Sequence, residues 1–589
     1  MSKLEIRGDS LYIDGAPFFL VSGDIHYFRI YPGGLKRRLR LMKEFGLTAV
    51  QTYVPWSLHE PEEGRFCFDG LCDLKGFLEA CREEGLYVLL RPSPYICSEL
   101  DNGGLPYWLT AKTKAVRCCG ETYMQAVGRY MKRVCAEFVP FLSTNGGPVI
   151  AVAVENEYGS YGNDRAYLTA LRDMLLENGV DVPLYATDGY CGEMFKNGSL
   201  DGVWEGVNYR VESKIAIEKL RLFRPGQPAL IGEYWSGQAF HWGENGKKRN
   251  ISDVAEGFRE ALENGGLLNF YMFAGGTNFG LRSGANFGCS FSAPEGAPSR
   301  YIPHITSYDE DALLDETGAP TEKYAACKSV LDAFFGRTSS TAIYRPLPPQ
   351  SLEPIKLTLC GSLLGSADYS KAVRSALPLT FEQLQLDYGY CLYRTTVTNA
   401  NNGNFLRIEG LRDRADVYID GVYSGTYMRD REAEPIRVFC PECKTVTLEL
   451  LVENMGRINY GEALGEDKGI TQGVYLGWTR LSGWECLPLR EDDVMNVPAS
   501  TDAPAGAAVF TGSFTAEAGR DIVLDMRHMC KGFLRVNGFN LGRYWRIGPQ
   551  YSLYVPGELV KETNTVEVFE QYADKAEPLL STLPGVLIE

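Results

Sequence analysis

An alternation of short apolar strands and helices runs from residue 17 to about residue 280 and constrains the fold more than any other feature of the chain. Glycine follows several of the predicted helices, as at Gly46 and Gly85. Short buried strands separated by such helices are typical of repeated βα units around a parallel sheet. The predicted strands are residues 18–22, 48–54, 86–90, 148–154, 184–187, 202–204, 229–232 and 267–273.

Eight strands within about 250 residues match the size of a (β/α)₈ barrel. A doubly wound open sheet is the alternative. It is disfavoured because polar residues follow nearly every strand, as they do around the mouth of a closed ring. We therefore predict an α/β chain that begins with a (β/α)₈ TIM barrel.

The pattern changes after residue 301. A Ser-, Thr- and Pro-rich stretch at residues 338–353 is typical of a linker, and short strands with Asp-Gly or Asn-Gly turns follow it. These features predict two all-β sandwich domains of jelly-roll, galactose-binding-like type. The predicted division is a barrel at 1–335, a linker and crossover segment at 336–372, and sandwiches at 373–490 and 491–589.

Charge and composition exclude several classes of partner. A net charge of −16 disfavours nucleic acid and anionic membrane surfaces, because their phosphates would be repelled. Aromatic residues make up 12% of the chain, which suits the apolar faces of sugars. No apolar run is long enough to span a bilayer, and no leader-like segment precedes the first strand, so we expect a cytoplasmic protein.

The cysteines predict reduced thiols rather than a disulfide framework, since sixteen are scattered through a long chain. Cys440 and Cys443 have the spacing of half a zinc site, but no second Cys or His pair accompanies them. We therefore interpret these two as loop thiols rather than zinc ligands. No cofactor is expected.

Two carboxylates follow apolar strands and suggest the chemistry. Glu157 follows the fourth predicted strand and Glu233 the seventh. A buried strand disfavours charge, so these groups belong at its mouth, where barrel enzymes carry their active sites. Opposed carboxylates suit glycoside cleavage, with Glu157 as general acid/base and Glu233 as nucleophile. A single glutamate at the end of a strand is more often a salt-bridge partner. Two such glutamates, each in a segment that contains aromatic residues and glycines, favour catalysis.

Longer motifs resemble glycoside hydrolase family 35, the retaining β-galactosidases. The matching segments, which cover nearly the whole chain, begin at Gly23 (GDIHYFR), Thr52 (TYVPWSLHEP), Arg91 (RPSPYICSEL), Glu155 (ENEYG), Gly275 (GGTNFG), Thr306 (TSYD), Glu453 (ENMGRINYG) and Asn537 (NGFNLGRYW). The resemblance implies a barrel followed by two β-domains, no metal, and removal of a terminal β-linked sugar from an oligosaccharide or glycoside.

The resemblance also implies site residues. It makes Glu157 the acid/base and Glu233 the nucleophile, in agreement with the choice made from the strand pattern. The sugar-contacting positions it implies are Tyr53, Cys97, Glu99 and Asn156, and Tyr308 matches a family position near the nucleophile. Ser98, between Cys97 and Glu99, is also taken as a candidate substrate-binding residue. Without the resemblance, Tyr53 and Cys97 would be taken as ordinary packing residues.

Several positions depart from the family pattern while both carboxylates stay. Gln238 stands where a Trp is usual, Leu281 where an aromatic is usual, and Glu310 where the second Tyr of Tyr-Asp-Tyr is usual. Phe240 replaces an Asp, and Ser98 replaces an Ala. These changes predict a sugar pocket with altered preference, in which Gln238, Leu281 and Glu310 contact the substrate.

The prediction is therefore a retaining exo-β-glycosidase, first of all a β-galactosidase. The alternatives are a transglycosylase, or a family member that accepts a β-glucosyl, β-arabinopyranosyl or amino sugar. A carbohydrate-binding protein with a decayed site is disfavoured because both carboxylates are present. A homodimer is left open.

Overall fold

The computed structural model describes residues 3–288, 301–309, 311–338, 346–398, 404–431, 433–439, 445–499 and 506–589. Its first half is a closed barrel of eight parallel strands, each followed by a helix. The barrel strands β1–β8 are Ser22–Ile25, Ala49–Tyr53, Tyr87–Arg91, Val149–Ala153, Leu184–Gly189, Trp204–Tyr209, Ala229–Trp235 and Gly266–Ala274. The helices α1–α8 are Leu35–Phe45, Leu74–Glu83, Glu121–Phe138, Arg165–Glu177, Met194–Gly198, Ser213–Phe223, Ile251–Glu263 and Glu322–Phe334.

Alternation along the strands separates two apolar layers. Val50, Val152 and Val207 face outward and pack against the helices in the largest hydrophobic cluster. Ala49 and Trp204 face inward at the amino-terminal end of the barrel. The barrel interior is thus a packed core, and its carboxyl-terminal end is left for polar side chains.

A three-stranded antiparallel sheet precedes the barrel. Its strands are Leu4–Arg7, Ser10–Ile13 and Ala16–Phe18. Leu4 and Leu11 join the inward-facing cluster of the barrel, so this sheet packs at the amino-terminal end and closes it.

Two strand predictions are wrong in position. The first barrel strand begins at Ser22 rather than residue 18, and the sixth extends from Trp204 to Tyr209 instead of ending at residue 204. Both strands carry buried polar residues that face inward, Asp24 and Asn208. A search for apolar runs passes over such strands.

Four sheets follow the barrel and form two sandwiches. The first has a six-stranded sheet, in the order Val373–Ser375, Trp484–Leu489, Tyr390–Thr398, Thr445–Glu453, Arg414–Ile419 and Val422–Met428. Its four-stranded partner has the order Arg437–Val438, Asn404–Arg412, Gly469–Leu476 and Thr479–Arg480. Tyr393 and Leu406 meet in the cluster between these sheets.

The second sandwich pairs a five-stranded with a four-stranded sheet. The first has the order Thr358–Ser362, Ala508–Thr515, Thr563–Glu570, Lys531–Val536 and Phe539–Trp545. The second has the order Ile355–Lys356, Leu579–Thr582, Ile522–Asp525 and Ser552–Val555. Two of these strands come from residues 355–362, so the crossover segment contributes to the last sandwich.

The predicted fold class, a (β/α)₈ barrel followed by two all-β sandwiches, is confirmed. The exact domain boundaries stay a prediction. Among the described residues, no helix combines the length and apolarity needed to cross a bilayer.

Candidate active site

Glu157 and Glu233 meet at the carboxyl-terminal end of the barrel. Glu233 lies on β7 and is 5% exposed, while Glu157 lies in the turn after β4. Asn208 of β6 is the register partner of Glu233, and its Nδ2 donates to Oε1 of Glu157 at 2.9 Å. One asparagine therefore connects the two carboxylates, although they are far apart in sequence.

The backbone at Glu157 is held in a left-handed conformation, with φ 47°. This conformation is strained for a residue with a side chain and persists where neighbours fix it. The amide of Gly159, two residues on, donates to Oδ1 of Asp188 at 2.6 Å. Asp188, on β5, thereby anchors the turn that carries Glu157.

Glu155 in the same segment has a structural role. Its two carboxylate oxygens accept from Nε and Nη2 of Arg117 at 3.0 and 2.8 Å, and both residues are buried. A buried carboxylate paired in this way is satisfied and leaves no group free for a substrate.

Two hydrogen bonds and one ion pair orient Glu233. The Tyr53 hydroxyl donates to Oε1 at 2.5 Å, Nη1 of Arg91 lies 3.2 Å from the same oxygen, and Nε1 of Trp235 donates to Oε2 at 3.0 Å. Tyr53 is a predicted site residue, whereas Arg91 and Trp235 are not.

Arg91 also positions the predicted residue Asn156. Nη2 of Arg91 donates to Oδ1 of Asn156 at 2.5 Å and to Oγ1 of Thr187 at 3.1 Å. The arginine is fully buried at the end of β3. Its place at the end of a predicted apolar strand is the sequence signal that could have identified it.

The loop after β3 carries three predicted residues in left-handed conformations. Cys97, Ser98 and Glu99 have φ values of 55°, 55° and 49°. Arg29 fixes this loop, because its Nη1 donates to Oγ of Ser98 at 3.0 Å and its Nη2 to the Ser98 carbonyl at 2.5 Å. Three consecutive residues in this region are costly, and the contacts with Arg29 help to hold them.

Two tyrosines hold the side chain of Glu99. The hydroxyls of Tyr308 and Tyr271 both donate to Oε2 of Glu99, the second at 3.2 Å, and they lie 2.6 Å from each other. Tyr308 is a predicted site residue. Tyr271, on β8, was missed because its strand was interpreted only as an apolar run.

The first sandwich contributes to the rim of the site. Nδ2 of Asn459 lies 3.5 Å from Sγ of Cys97 and donates to it. Tyr460 is 36% exposed. Burial is the main cause that raises the pKa of its hydroxyl, and the negative charge of the nearby Glu157 also contributes.

The outer predicted positions differ in their outcome. Gln238 lies in the loop after β7, where its Oε1 accepts from Nη2 of Arg210 at 2.8 Å. Leu281 is 4% exposed and packs in a hydrophobic cluster with Tyr390 of the six-stranded sheet and Phe533 of the five-stranded sheet. Its predicted contact with the substrate stays a prediction. Glu310, like Cys440 and Cys443, lies outside the described residues.

Burial and neighbouring charges set the ionisation of the site. Burial, followed by the charge of Glu233, raises the pKa of Glu157 to about 7. Burial also raises the pKa of Glu99, and it raises that of the Cys97 thiol to about 12. Cys97 is therefore a neutral thiol near neutral pH.

Glu157 is a carboxyl group protonated near neutral pH, and it lies beside a carboxylate held by two hydrogen bonds and an ion pair. Such a pair can deliver a proton and stabilise or attack an electron-poor carbon. This division of roles is what glycosidic bond cleavage requires. Among the described residues, no group of three or more His, Cys, Asp or Glu side chains could hold a metal ion.

Comparison with known proteins agrees with this chemistry. Residues 10–334 match the family model described as glycosyl hydrolases family 35. Residues 378–490 match the model for the first all-beta domain of beta-galactosidase, and residues 507–565 match the model for its galactose-binding domain.

Three relatives are similar over nearly their whole length. A beta-galactosidase of Xanthomonas manihotis is 39% identical, over 93% of this chain and 90% of its own. A human beta-galactosidase is 36% identical, over 97% and 87%. A mouse beta-galactosidase-1-like protein is 36% identical, over 95% and 88%.

Proposed function

The chain belongs to glycosyl hydrolases family 35, and from this membership we propose that it is a retaining exo-β-galactosidase. One observation carries the proposal. A carboxyl whose pKa is raised to about 7 lies beside a second, hydrogen-bonded carboxylate at the mouth of the barrel. The names of the similar proteins support galactose as the sugar.

In the proposed reaction, Glu157 donates its proton to the glycosidic oxygen while Glu233 attacks the anomeric carbon. The bond between that carbon and the leaving oxygen breaks, and a covalent glycosyl–Glu233 ester forms. Glu157, now a carboxylate, then removes a proton from water. The water oxygen attacks the anomeric carbon, releases Glu233 and restores the original configuration.

The remaining polar groups are proposed to hold the sugar. Asn156, oriented by Arg91, is suited to the 2-hydroxyl, where hydrogen bonds strengthen in the transition state. Glu99, held by Tyr271 and Tyr308, is suited to bind other ring hydroxyls. Each of these contacts would fix the anomeric carbon relative to Glu233, because several directional bonds together define one orientation.

We also propose a reducing, cytoplasmic location and the division into a barrel and two sandwiches given by the sequence. In the described parts of the chain the cysteines are free thiols, which supports the first proposal. A homodimer stays a prediction.

Substitution of each carboxylate tests the proposal. Glu157→Gln is expected to lower kcat/KM for 4-methylumbelliferyl β-galactoside by about 100- to 10,000-fold, since general acid catalysis contributes this much. Glu233→Gln is expected to cost at least as much, because no covalent intermediate can form. Glu218→Gln on α6, an exposed helical glutamate, is the matched control.

Product stereochemistry gives the second test. The first product detected by proton NMR is expected to be the β-anomer of galactose, as double displacement requires. An α-anomer, or unchanged turnover by Glu233→Gln, would contradict the roles assigned here. Analysis of products with an added acceptor sugar separates hydrolysis from transglycosylation.

A further inference from the structure

Arg210 lies at the mouth of the barrel, directly after β6. Side chains alternate along β6, which ends at Tyr209. Asn208 faces the interior, where it donates a hydrogen bond to Glu157, while Tyr209 faces the helices, where its ring lies 5.6 Å from that of Tyr234. Arg210 is the first residue beyond this strand, two positions after Asn208.

Gln238 fixes the guanidinium of Arg210 from the loop after the nucleophile strand. The bond from Nη2 of Arg210 to Oε1 of Gln238 measures 2.8 Å and joins the ends of β6 and β7. Arg210 is half-buried. A neutral amide oxygen positions a guanidinium but does not neutralise its charge, so most of its five donors stay available.

The surroundings of Arg210 carry an excess of positive charge. Burial and the nearby charge of Arg249 lower its pKa, and the carboxylate of Asp311 opposes this effect. Asp311 is already engaged, because it lies 2.7 Å from Nζ of Lys323 and accepts from the Arg249 amide at 2.8 Å. Across the ranges that the structure describes, no carboxylate forms an ion pair with Arg210 itself.

A half-buried guanidinium that has no carboxylate partner among the described residues is suited to a planar or tetrahedral anionic oxygen group, to which it makes paired, charge-assisted hydrogen bonds. We propose that Arg210, positioned by Gln238, binds an anionic oxygen group, a carboxylate or a sulfate, on the leaving-group part of the substrate. This rests on the proposed function and names a class of substrate for the same site: β-galactosides linked to an acidic residue.

The position of Arg210 selects the leaving-group side. The proposed hydroxyl-binding residue Glu99 belongs to the loop after β3, and Tyr271, which holds it, belongs to β8. Arg210 instead follows β6. The proposed proton donor, Glu157, is bonded to Asn208 of that same strand. The leaving oxygen must lie beside the proton donor, so the part of the substrate beyond it passes Arg210 as it extends to solvent.

Three aryl β-galactosides test the proposal. Their leaving groups are 4-carboxyphenol, 4-sulfophenol and 4-carbamoylphenol, the last a neutral counterpart of similar shape. At low ionic strength, kcat/KM for the anionic substrates is expected to exceed that for the neutral one by about tenfold or more, the value of a charge-assisted hydrogen bond. The ratio should fall in 0.5 M NaCl, because salt screens a partly exposed pair.

Substitutions of Arg210 test whether this residue causes the higher kcat/KM for the anionic substrates. Arg210→Gln is expected to reduce the ratio to about one, and Arg210→Lys to keep part of it. Arg221→Gln, an exposed arginine of α6, is the control and should keep the full ratio. A preference for only one of the anionic substrates would support the proposal and identify the group.

Other outcomes overturn the proposal without affecting the proposed function. Cleavage of all three substrates with a ratio near one in the natural protein would do so. A preference for the anionic substrates that appears only in Glu310→Gln would also overturn the proposal. It would mean that the carboxylate of Glu310 pairs with the Arg210 guanidinium in the natural protein. Failure to cleave any of the three would instead count against the galactosidase itself.

Discussion

The ionisation of Glu157 is set by its burial and by the charge of Glu233, and the hydrogen bond from Asn208 opposes both. Burial disfavours the charged carboxylate and the nearby negative charge does the same, so both raise its pKa. The asparagine donor favours the carboxylate and lowers the pKa. The resulting pKa of about 7 keeps Glu157 protonated over the lower part of the physiological pH range.

This balance predicts the pH dependence. Since the protonated form of Glu157 is the proposed proton donor, kcat/KM should fall as pH rises through about 7. Glu233→Gln removes the neighbouring negative charge, so the Glu157 pKa should fall. Carbon-13 NMR titration of the glutamate carboxyls would measure the change, with Glu218→Gln as the control. An unchanged Glu157 pKa would show that Glu233 does not act on it.

Sequence alone identified the residues whose type and position both carry a signal. Glu157 and Glu233 follow apolar strands, where a charge is unexpected. Asn208, Tyr271 and Arg210 gave no comparable signal, because their importance depends on which face of a strand turns inward. Which residues of a strand face inward is fixed by the register of the closed barrel, and single segments do not reveal that register.

At the scale of elements, a polar layer within the barrel supports β7, the strand that carries Glu233. Oδ2 of Asp24 on β1 accepts from Nε2 of Gln51 at 3.0 Å and from Nδ2 of Asn269 at 2.6 Å. The same two nitrogens donate to the carbonyl of Gly232 at 3.1 and 2.9 Å. Gly232 immediately precedes Glu233, so strands β1, β2 and β8 together fix the backbone of β7.

Asp24 should act here as an acceptor rather than as a charge. Burial, followed by the charge of Glu233, raises its pKa well above the usual range, which favours the protonated form. Asp24→Asn keeps the shape and the acceptor, so kcat/KM and its pH profile should change only a few-fold. Asp24→Leu leaves buried amide donors unpaired and should lower the free energy of unfolding by about 2–4 kcal/mol.

Kinetics and urea unfolding of both variants check this prediction. Equal losses in the two variants would mean that the charge of Asp24 matters. No loss in Asp24→Leu would mean that the polar layer does not support Glu233.

The strand–helix order of the barrel could be predicted because each unit has its own apolar pattern. The polar layer could not, since Asp24, Gln51 and Asn269 lie on three strands that meet only when the barrel closes. The same property displaced the predicted first strand, because Asp24 interrupts the apolar pattern of β1.

At the scale of the whole molecule, Arg457 joins the first sandwich to the active-site loop. Its backbone amide and Nη1 donate to the carboxylate of Asp101 at 2.5 and 3.1 Å, and its Nη2 donates to Oε1 of Glu382 at 2.7 Å. Arg457 is fully buried, and Asp101 lies two residues after Glu99. The sandwich therefore holds the loop that carries three proposed sugar contacts.

Arg457→Met should affect both stability and binding. It leaves two buried carboxylates without their partner, which costs about 3–5 kcal/mol. We expect a Tm lowered by several degrees and a raised KM, because the Glu99 loop loses its anchor. Arg407→Met, at an exposed pair with Glu409, should change neither by much. Differential scanning calorimetry and initial-rate kinetics test both variants, and a normal KM in Arg457→Met would rule out the anchoring role.

The order of barrel and sandwiches was predictable from the change in pattern after residue 301. Contacts between them were not, because Arg457 and Asp101 are separated by most of the chain. Leu281 illustrates the same limit, since its packing against Tyr390 and Phe533 of the β-domains could not be predicted from its own segment.

The reach of Asn459 to Cys97 bears on how such an enzyme could be shortened or recombined. A fragment that ends after α8 would keep Glu157 and Glu233 but lose the contact between Asn459 and Cys97. A chimaera that joins this barrel to the sandwiches of another protein would need to keep residues 457–460 of this chain. The part of the chain needed for activity is thus expected to extend beyond the barrel, although the barrel alone contains Glu157 and Glu233.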